Sequence, residues 1–378
     1  MKYRTLLIRR KTEEIPPEQL EMFIKIQQQF REWATEWYKS GFKAPMPEQN
    51  PLKYFAMKLK YVLKLIPTNG LKKDKWNVPL PFNIQLRINN EKDVGCGVFI
   101  DLSKGEVRIR KWGGGTIVLK LKKSSIKWIK ERVEEGGKPV LAMAWVGRVK
   151  RSNIVTFNVA LTFARDVEPI DVRRVLAVDL NGLHNGVVWG VVEKDKILAS
   201  GTERPHLSKI GRLQKEISKL DSLCAKKGEY CRQAVAAESR LRRLLREFAD
   251  EAAKKIVRLA RQYKALIVVD APKDESLREI KQSRYAPSKK IYLDVGRLKK
   301  RIKQLAEWYG VPYREARLYS TICPRCEAKM EELPNRRVRC PKCGFEAPRD
   351  EVPLMWTAKR FSELTPSFSS LAIALAAF

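Results

Sequence analysis

The chain has 378 residues, with 76 Lys+Arg against 43 Asp+Glu and a formal net charge of +33 at pH 7. An apolar fraction of 44% and nine tryptophans exclude a disordered basic tail, and the length allows two or three domains with a substantial core. So large a positive excess repels itself unless a polyanion neutralises it, which points to nucleic acid and leaves ribosomal, chromatin and enzymatic roles open.

Met1 to Arg10 reads as a short strand, and from Pro17 to about Leu65 the apolar spacing is helical, broken by the proline-rich stretch Pro45 to Pro51. A helical insertion after one strand is the simplest reading. Between Val78 and Asp166 the segments PFNIQLRI, GVFIDL, EVRIRKW, TIVLKL, PVLAMAWVGRV and IVTFNVALTF, set apart by glycine-rich turns, predict a small β-barrel. Residues 173–201 predict an apolar strand, VLAVDLN, followed by two more at hairpin distances. A basic amphipathic helical region then runs from about Leu207 to Tyr263, broken near Gly228, and a buried strand from Ala265 to Val269 ends on Asp270. A basic loop, a helix from about Leu293 to Trp308 and the segment Tyr313 to Thr321 complete the run. The apolar tail Leu371 to Phe378 is too short to cross a bilayer, so no membrane partner is expected; with no leader either, the expected setting is the cytoplasm or nucleoid.

Near the C-terminus stand Cys323-x2-Cys326 and Cys340-x2-Cys343, thirteen residues apart, with Asp350 seven residues further on. Two rigid knuckles at this spacing can present four thiolates as a tetrahedron, the arrangement of a closed structural Zn2+ site. Pro324, Pro341 and Gly344 suit the knuckle turns. A redox pair or disulfide framework is the alternative, against which Cys96, Cys224 and Cys231 are scattered.

Three acids share a local setting: Asp179 within VLAVDLN, Asp270 at the end of ALIVVD, and Asp350 opening the helix-like DEVPLMWTAKRF. An aspartate in or at the end of a buried strand needs something to offset its desolvation, and a divalent metal would do so. Two Mg2+ ions held by hard oxygen ligands can hydrolyse a phosphodiester. Each acid also has a structural alternative: a strand-to-turn bend for Asp179, a turn cap for Asp270 and a helix N-cap for Asp350. The order of elements, a meander with the first acid, a helix, a parallel strand with the second and a later helix with the third, fits a ribonuclease-H-like α/β fold.

At these residues the chain resembles the TnpB family, the OrfB proteins of insertion sequences, which are similar to the compact Cas12 nucleases. VLAVDLNGLHNGVV matches the first RuvC segment, ALIVVD the second, and YSTICPRC with RCPKCGFEAPRD the ribbon and third segment. The match covers about residues 173–360; the N-terminal half agrees only in plan. The resemblance implies a multidomain α/β protein: a first wedge strand (1–12), a helical recognition insertion (13–77), a wedge β-barrel (78–170), RuvC segments I and II with basic helices (171–319), a zinc ribbon (320–347), then RuvC segment III with the tail (348–378). It further implies an RNA-guided DNA endonuclease, with a guide RNA from the transposon end and target DNA as partners. Asp179, Asp270 and Asp350 would hold Mg2+ (or Mn2+), and Cys323, Cys326, Cys340 and Cys343 would hold Zn2+. The family's second acid is glutamate, so Asp270 is one methylene short, and Glu351-Val352-Pro353-Leu354 replaces the usual small Asn-Ala. These departures keep open a guided DNA-binding regulator that no longer cuts.

The segment Lys281 to Arg317 carries eleven Lys or Arg and three acids. Arg284, Lys289, Lys290 and Arg297 are the expected phosphate contacts there, with Tyr285 either stacking on an unpaired base or packing on the next helix. Arg349, beside Asp350, is expected either to contact the scissile phosphate or to pair with an acid. His184 reads as structural.

Overall fold

The computed structural model describes residues 1–48, 50–62, 79–87, 97–110, 115–148, 154–181, 185–227, 232–270 and 295–364. They fall into two compact units, Met1–Asp166 and Val167–Phe378.

The first unit holds two four-stranded sheets. In one, β1 (Lys2–Lys11), β8 (Val155–Arg165), β7 (Lys138–Arg148) and β2 (Leu80–Phe82) lie side by side, all antiparallel. In the other, β3 (Ile84–Arg87), β4 (Gly97–Asp101), β5 (Glu106–Arg110) and β6 (Thr116–Lys120) follow in order, with β3 parallel to β4. Helix α1 (Pro17–Lys39) buries Phe23, Gln27, Phe30, Ala34 and Trp37, a single stripe at alternating spacings of four and three. Phe23 meets Phe157 of β8 edge-on at 4.9 Å, and Phe55 of α2 (Leu52–Val62) links Phe30 to Phe82 at 5.8 and 5.1 Å. Where β2 has ended, the Gln27 side chain takes a strand's place: it donates to the Val146 carbonyl at 3.3 Å and accepts from its amide at 2.8 Å.

Two expectations for this unit are corrected. Among the described residues the sheets do not close into a barrel. The chain passes from β2 to β3 through Asn83, and β1 reaches β6 by a side-chain bond, the Arg10 guanidinium donating to the Lys120 carbonyl, where closure needs a backbone ladder. The stretch read as uninterrupted strands also contains helix α3 (Lys123–Glu134), which buries Ile129 and Arg132. Gly136 stops it at φ +83°, its amide and that of Gly137 bonding back to Val133 and Arg132. Trp128 fixes α3 to the sheet, lying edge-on to Phe163 at 5.7 Å under the guanidinium groups of Arg4 and Arg132.

The second unit is built on a five-stranded sheet of order β11-β10-β9-β12-β13. Strands β9 (Arg174–Leu180), β10 (Val187–Glu193) and β11 (Lys196–Glu203) form the expected antiparallel meander; β12 (Ala265–Asp270) runs parallel to β9, and β13 (Tyr313–Ala316) parallel to β12. Helices α4 (Leu207–Lys227) and α5 (Arg232–Gln262) connect the meander to β12, and α6 (Val295–Tyr309) connects β12 to β13. Period-two alternation gives the sheet two apolar faces. Leu176, Val178, Ile267 and Val269 pack with α5 and α6, whereas Val175, Ala177, Leu266 and Val268 pack with Leu354 of α7 (Val352–Lys359). Leu364 of the short helix α8 (Phe361–Leu364) joins the second face. No helix among the described residues is long and apolar enough to cross a membrane.

Between β13 and α7 lies a three-stranded hairpin ribbon, β14 (Glu331–Leu333), β15 (Arg337–Arg339) and β16 (Glu346–Pro348), antiparallel throughout.

Candidate active site

The ribbon's four cysteines converge, their Sγ atoms all within 4.8 Å of one another and none in a disulfide. Cys323 and Cys343 approach to 3.6 Å and Cys326 and Cys340 to 3.4 Å, close to the ~3.8 Å edge of a tetrahedron with ~2.3 Å Zn–S bonds. The two knuckles repeat one backbone pattern. Cys323 donates to Ala328 and accepts from Glu327, while Cys340 donates to Phe345 and accepts from Gly344. Glu327 and Gly344, each just after a second cysteine, take the same left-handed turn at φ +61° and +70°. This donor set fits structural zinc. The ribbon is tied to α7 by the Trp356 indole, which donates to the Ile322 carbonyl at 2.8 Å and lies 5.0 Å from Tyr319.

The first two acids owe their positions to strand register. Asp179 continues the Val175-Ala177 stripe and Asp270 the Leu266-Val268 stripe, so both point to the α7 face. The parallel ladder pairs Val269 with Val178; one step further on, Asp270 stands level with Asp179 on the neighbouring strand. Asp350 enters this face at the turn before α7, whose Leu354 sits so close over Gly190 that a Cβ there would lie 2.8 Å from a leucine methyl.

Electrostatics reports the same convergence. Asp179 is 8% exposed, and its carboxyl is pushed up from 3.8 to about 6, first by burial and then by the charges of Asp270 and Asp350; a hydrogen bond from Asn181 and the charge of Arg336 pull the other way. The Asn181 bond, 2.8 Å to Oδ2, comes from a side chain rather than from the backbone donors of a simple bend. Asp270 Oδ1 accepts from the Leu318 amide at 2.7 Å, which fixes its rotamer at the exit of β13. Asp350 does not cap α7: the N-cap position is Glu351, without a side-chain cap bond. Instead the Arg336 guanidinium grips Asp350, Nη2 to Oδ1 at 2.5 Å and Nε to Oδ2 at 3.2 Å. Among the described residues, the four cysteines meet the tight convergence expected around a closed ion.

Of the expected phosphate contacts, Arg349 pairs with Glu332 at 2.7 Å, and Arg297 is exposed on α6. Arg284, Tyr285, Lys289 and Lys290, together with His184, lie outside the described residues. Arg336 was not expected from the sequence. It faces Asp350 because Asn335 and Arg336 both turn left-handed, at φ +57°, and the Arg349 amide bonds to the Arg336 carbonyl at 2.8 Å. Its guanidinium holds its proton more tightly than usual, through the hydrogen bonds to Asp350 and then the charges of Asp350 and Asp179.

Residues 296–353, spanning α6, the ribbon and Asp350, match the family model of the Cas12f1-like TNB domain. A Cas12f1 solved in complex with sgRNA and target DNA superposes with a TM-score of 0.54 at 13% identity, over 91% of this chain and 83% of that one. The chain has the fold of a compact Cas12 protein. The resemblance to TnpB and compact Cas12 proteins read from the sequence therefore holds. A CRISPR-Cas12f ternary complex (TM-score 0.33, 13% identity, 89% of this chain and 81% of that one) and the mini-RNA-guided endonuclease Cas_phi3 (0.38, 10%, 67% and 57%) are also similar. No curated protein matches the chain.

Proposed function

We propose that the chain is an RNA-guided DNA endonuclease of the TnpB type, cutting target DNA at a Mg2+-dependent RuvC site made by Asp179, Asp270 and Asp350. The observation that carries this is the placement of Asp179 and Asp270 level on adjacent parallel strands, with Asp350 close enough to help push Asp179 up to about 6. A fold that only needed bracing gains nothing from crowding carboxylates in a buried place, since each raises the cost of ionising the next. Hard carboxylate oxygens suit Mg2+ or Mn2+, which when bound would activate the attacking water and stabilise the leaving oxygen.

The protein's own residues set the geometry. Asn181 orients Asp179, the Leu318 amide orients Asp270, and the ribbon and Leu354 seat Asp350. The shorter Asp270 is served by its level placement beside Asp179. Structural zinc at Cys323, Cys326, Cys340 and Cys343 would brace the ribbon that carries Arg336 and leads to Asp350. Guide RNA and target DNA as partners follow from the shared Cas12f1 fold and the net charge of +33.

The test is to purify the protein from cells that also carry its native flanking DNA, sequence the bound RNA, and add matched target DNA with Mg2+. A discrete RNA, cutting by the wild type, and intact binding without cutting by Asp179→Ala and Asp270→Ala are expected. Binding without cutting by the wild type would replace this reading with that of a guided regulator.

A further inference from the structure

We infer that Arg336 is a built-in counter-cation for the acidic site, holding Asp350 in the metal-free protein and competing with the divalent ion for that carboxylate. This rests on the reading of the three acids as metal ligands.

Both Asp350 oxygens accept from the one guanidinium, so a divalent ion at either oxygen meets a cation already in place and must compete with it for the carboxylate's charge and lone pairs. The arginine is also placed at a cost. Asn335 and Arg336 are consecutive non-glycine residues at φ +57°, a conformation unfavourable by roughly 1 kcal/mol or more per residue. The ribbon sustains it: Arg337 pairs with Pro348 across β15–β16, the Arg349 amide closes on the Arg336 carbonyl, and Cys340 begins the second knuckle directly after β15. Arg349, nearer to Asp350 in sequence, is turned away onto Glu332. The neighbouring arginine is thus kept off the acid, while the one fourteen residues away is brought onto it.

The consequence is an exchange of cations. Without metal, the guanidinium offsets part of the mutual repulsion among Asp179, Asp270 and Asp350. When a divalent ion arrives, Asp350 is released to it, and the guanidinium is left to find another anion. A phosphate brought in by a nucleic-acid strand supplies one, so strand and metal binding favour each other by linkage. Arg336 is in this sense a positioning residue, acting through Asp350.

The experiment measures Mn2+ binding to the full-length, zinc-loaded protein by electron paramagnetic resonance, without nucleic acid. Arg336→Ala is expected to bind Mn2+ roughly three- to ten-fold more tightly than wild type, the scale of losing a half-exposed bidentate pair. Arg336→Lys, which keeps the charge and loses the fork, should fall between them. Asp179→Ala should lose the site in either background. Unchanged or weaker binding by Arg336→Ala, with Asp179→Ala still abolishing it, would overturn the counter-cation role and leave the metal reading intact. Mn2+ binding indifferent to Asp179 would overturn both.

Discussion

At the scale of single residues, Asp179 shows what the site costs the fold. Its carboxyl stands at about 6 against an ordinary 3.8, so folding takes up a proton in between. Below 3.8 both states are protonated and nothing is lost. As pH rises from 3.8 to about 6 the unfolded chain releases its proton while the folded one keeps it, so stability falls across this window and levels off above it. The gap corresponds to roughly 3 kcal/mol at neutral pH. Asp179→Asn keeps the shape and can still accept from Asn181, so it is expected to be more stable than wild type by about 1–3 kcal/mol at pH 7.5 in zinc-loaded, Mg2+-free buffer. The advantage should shrink towards pH 4, as followed by denaturant unfolding of both proteins at each pH. Added Mg2+ should stabilise the wild type alone. A variant no more stable than wild type at pH 7.5 would mean that Asp179 is not strained in the metal-free fold.

At the scale of elements, the ribbon and α7 behave as one piece. The Trp356 indole donates to the carbonyl of Ile322, which directly precedes Cys323 of the four-cysteine cluster, and α7 in turn sets Leu354 against Gly190. Losing zinc should therefore be felt at Asp350. Cys343→Ser is expected to change Trp356 fluorescence and to lower cutting at least ten-fold while sparing guide binding, on the scale of losing one ligand of a structural metal. Full cutting by a zinc-free variant would show that the ribbon only decorates the site. What the sequence made legible at this scale is what local pattern controls. VLAVDLN and ALIVVD announce buried strands ending in acids, and the paired knuckles announce the cysteine cluster. Helix α3 is hidden in the sequence because Lys122 to Gly137 sits between β segments and the helix fully buries only Ile129 and Arg132, too few to mark a helical stripe. Barrel closure was misjudged because edge pairing depends on how two sheets meet, which period-two patterns do not encode. Arg336 could not be foreseen for a related reason: its contact with Asp350 comes from a left-handed turn in a hairpin, and no spacing rule links the two.

At the scale of the whole molecule, charge is the organising quantity, and it is shared between the units. Residues 1–166 carry 33 Lys+Arg and 16 Asp+Glu, and residues 167–378 carry 43 and 27, an excess of 17 in one unit and 16 in the other. A protein that reads a duplex by its backbone needs positive charge over a broad surface rather than one basic helix, and the even division fits that need. Guide RNA affinity should accordingly fall steeply with salt, by about 10³-fold or more between 50 and 200 mM if six or more phosphates are neutralised. The division itself can be tested with two triple variants at exposed helical positions. One changes Lys123, Lys127 and Lys130 of α3 to Gln; the other changes Lys254, Arg258 and Arg261 of α5 to Gln. If both units grip the guide, each set lowers affinity and flattens the log–log salt slope by about one for every phosphate contact removed. A loss confined to one set would mean that the other helix carries only a solvated basic face, and that the charge excess of its unit serves target DNA or solubility instead.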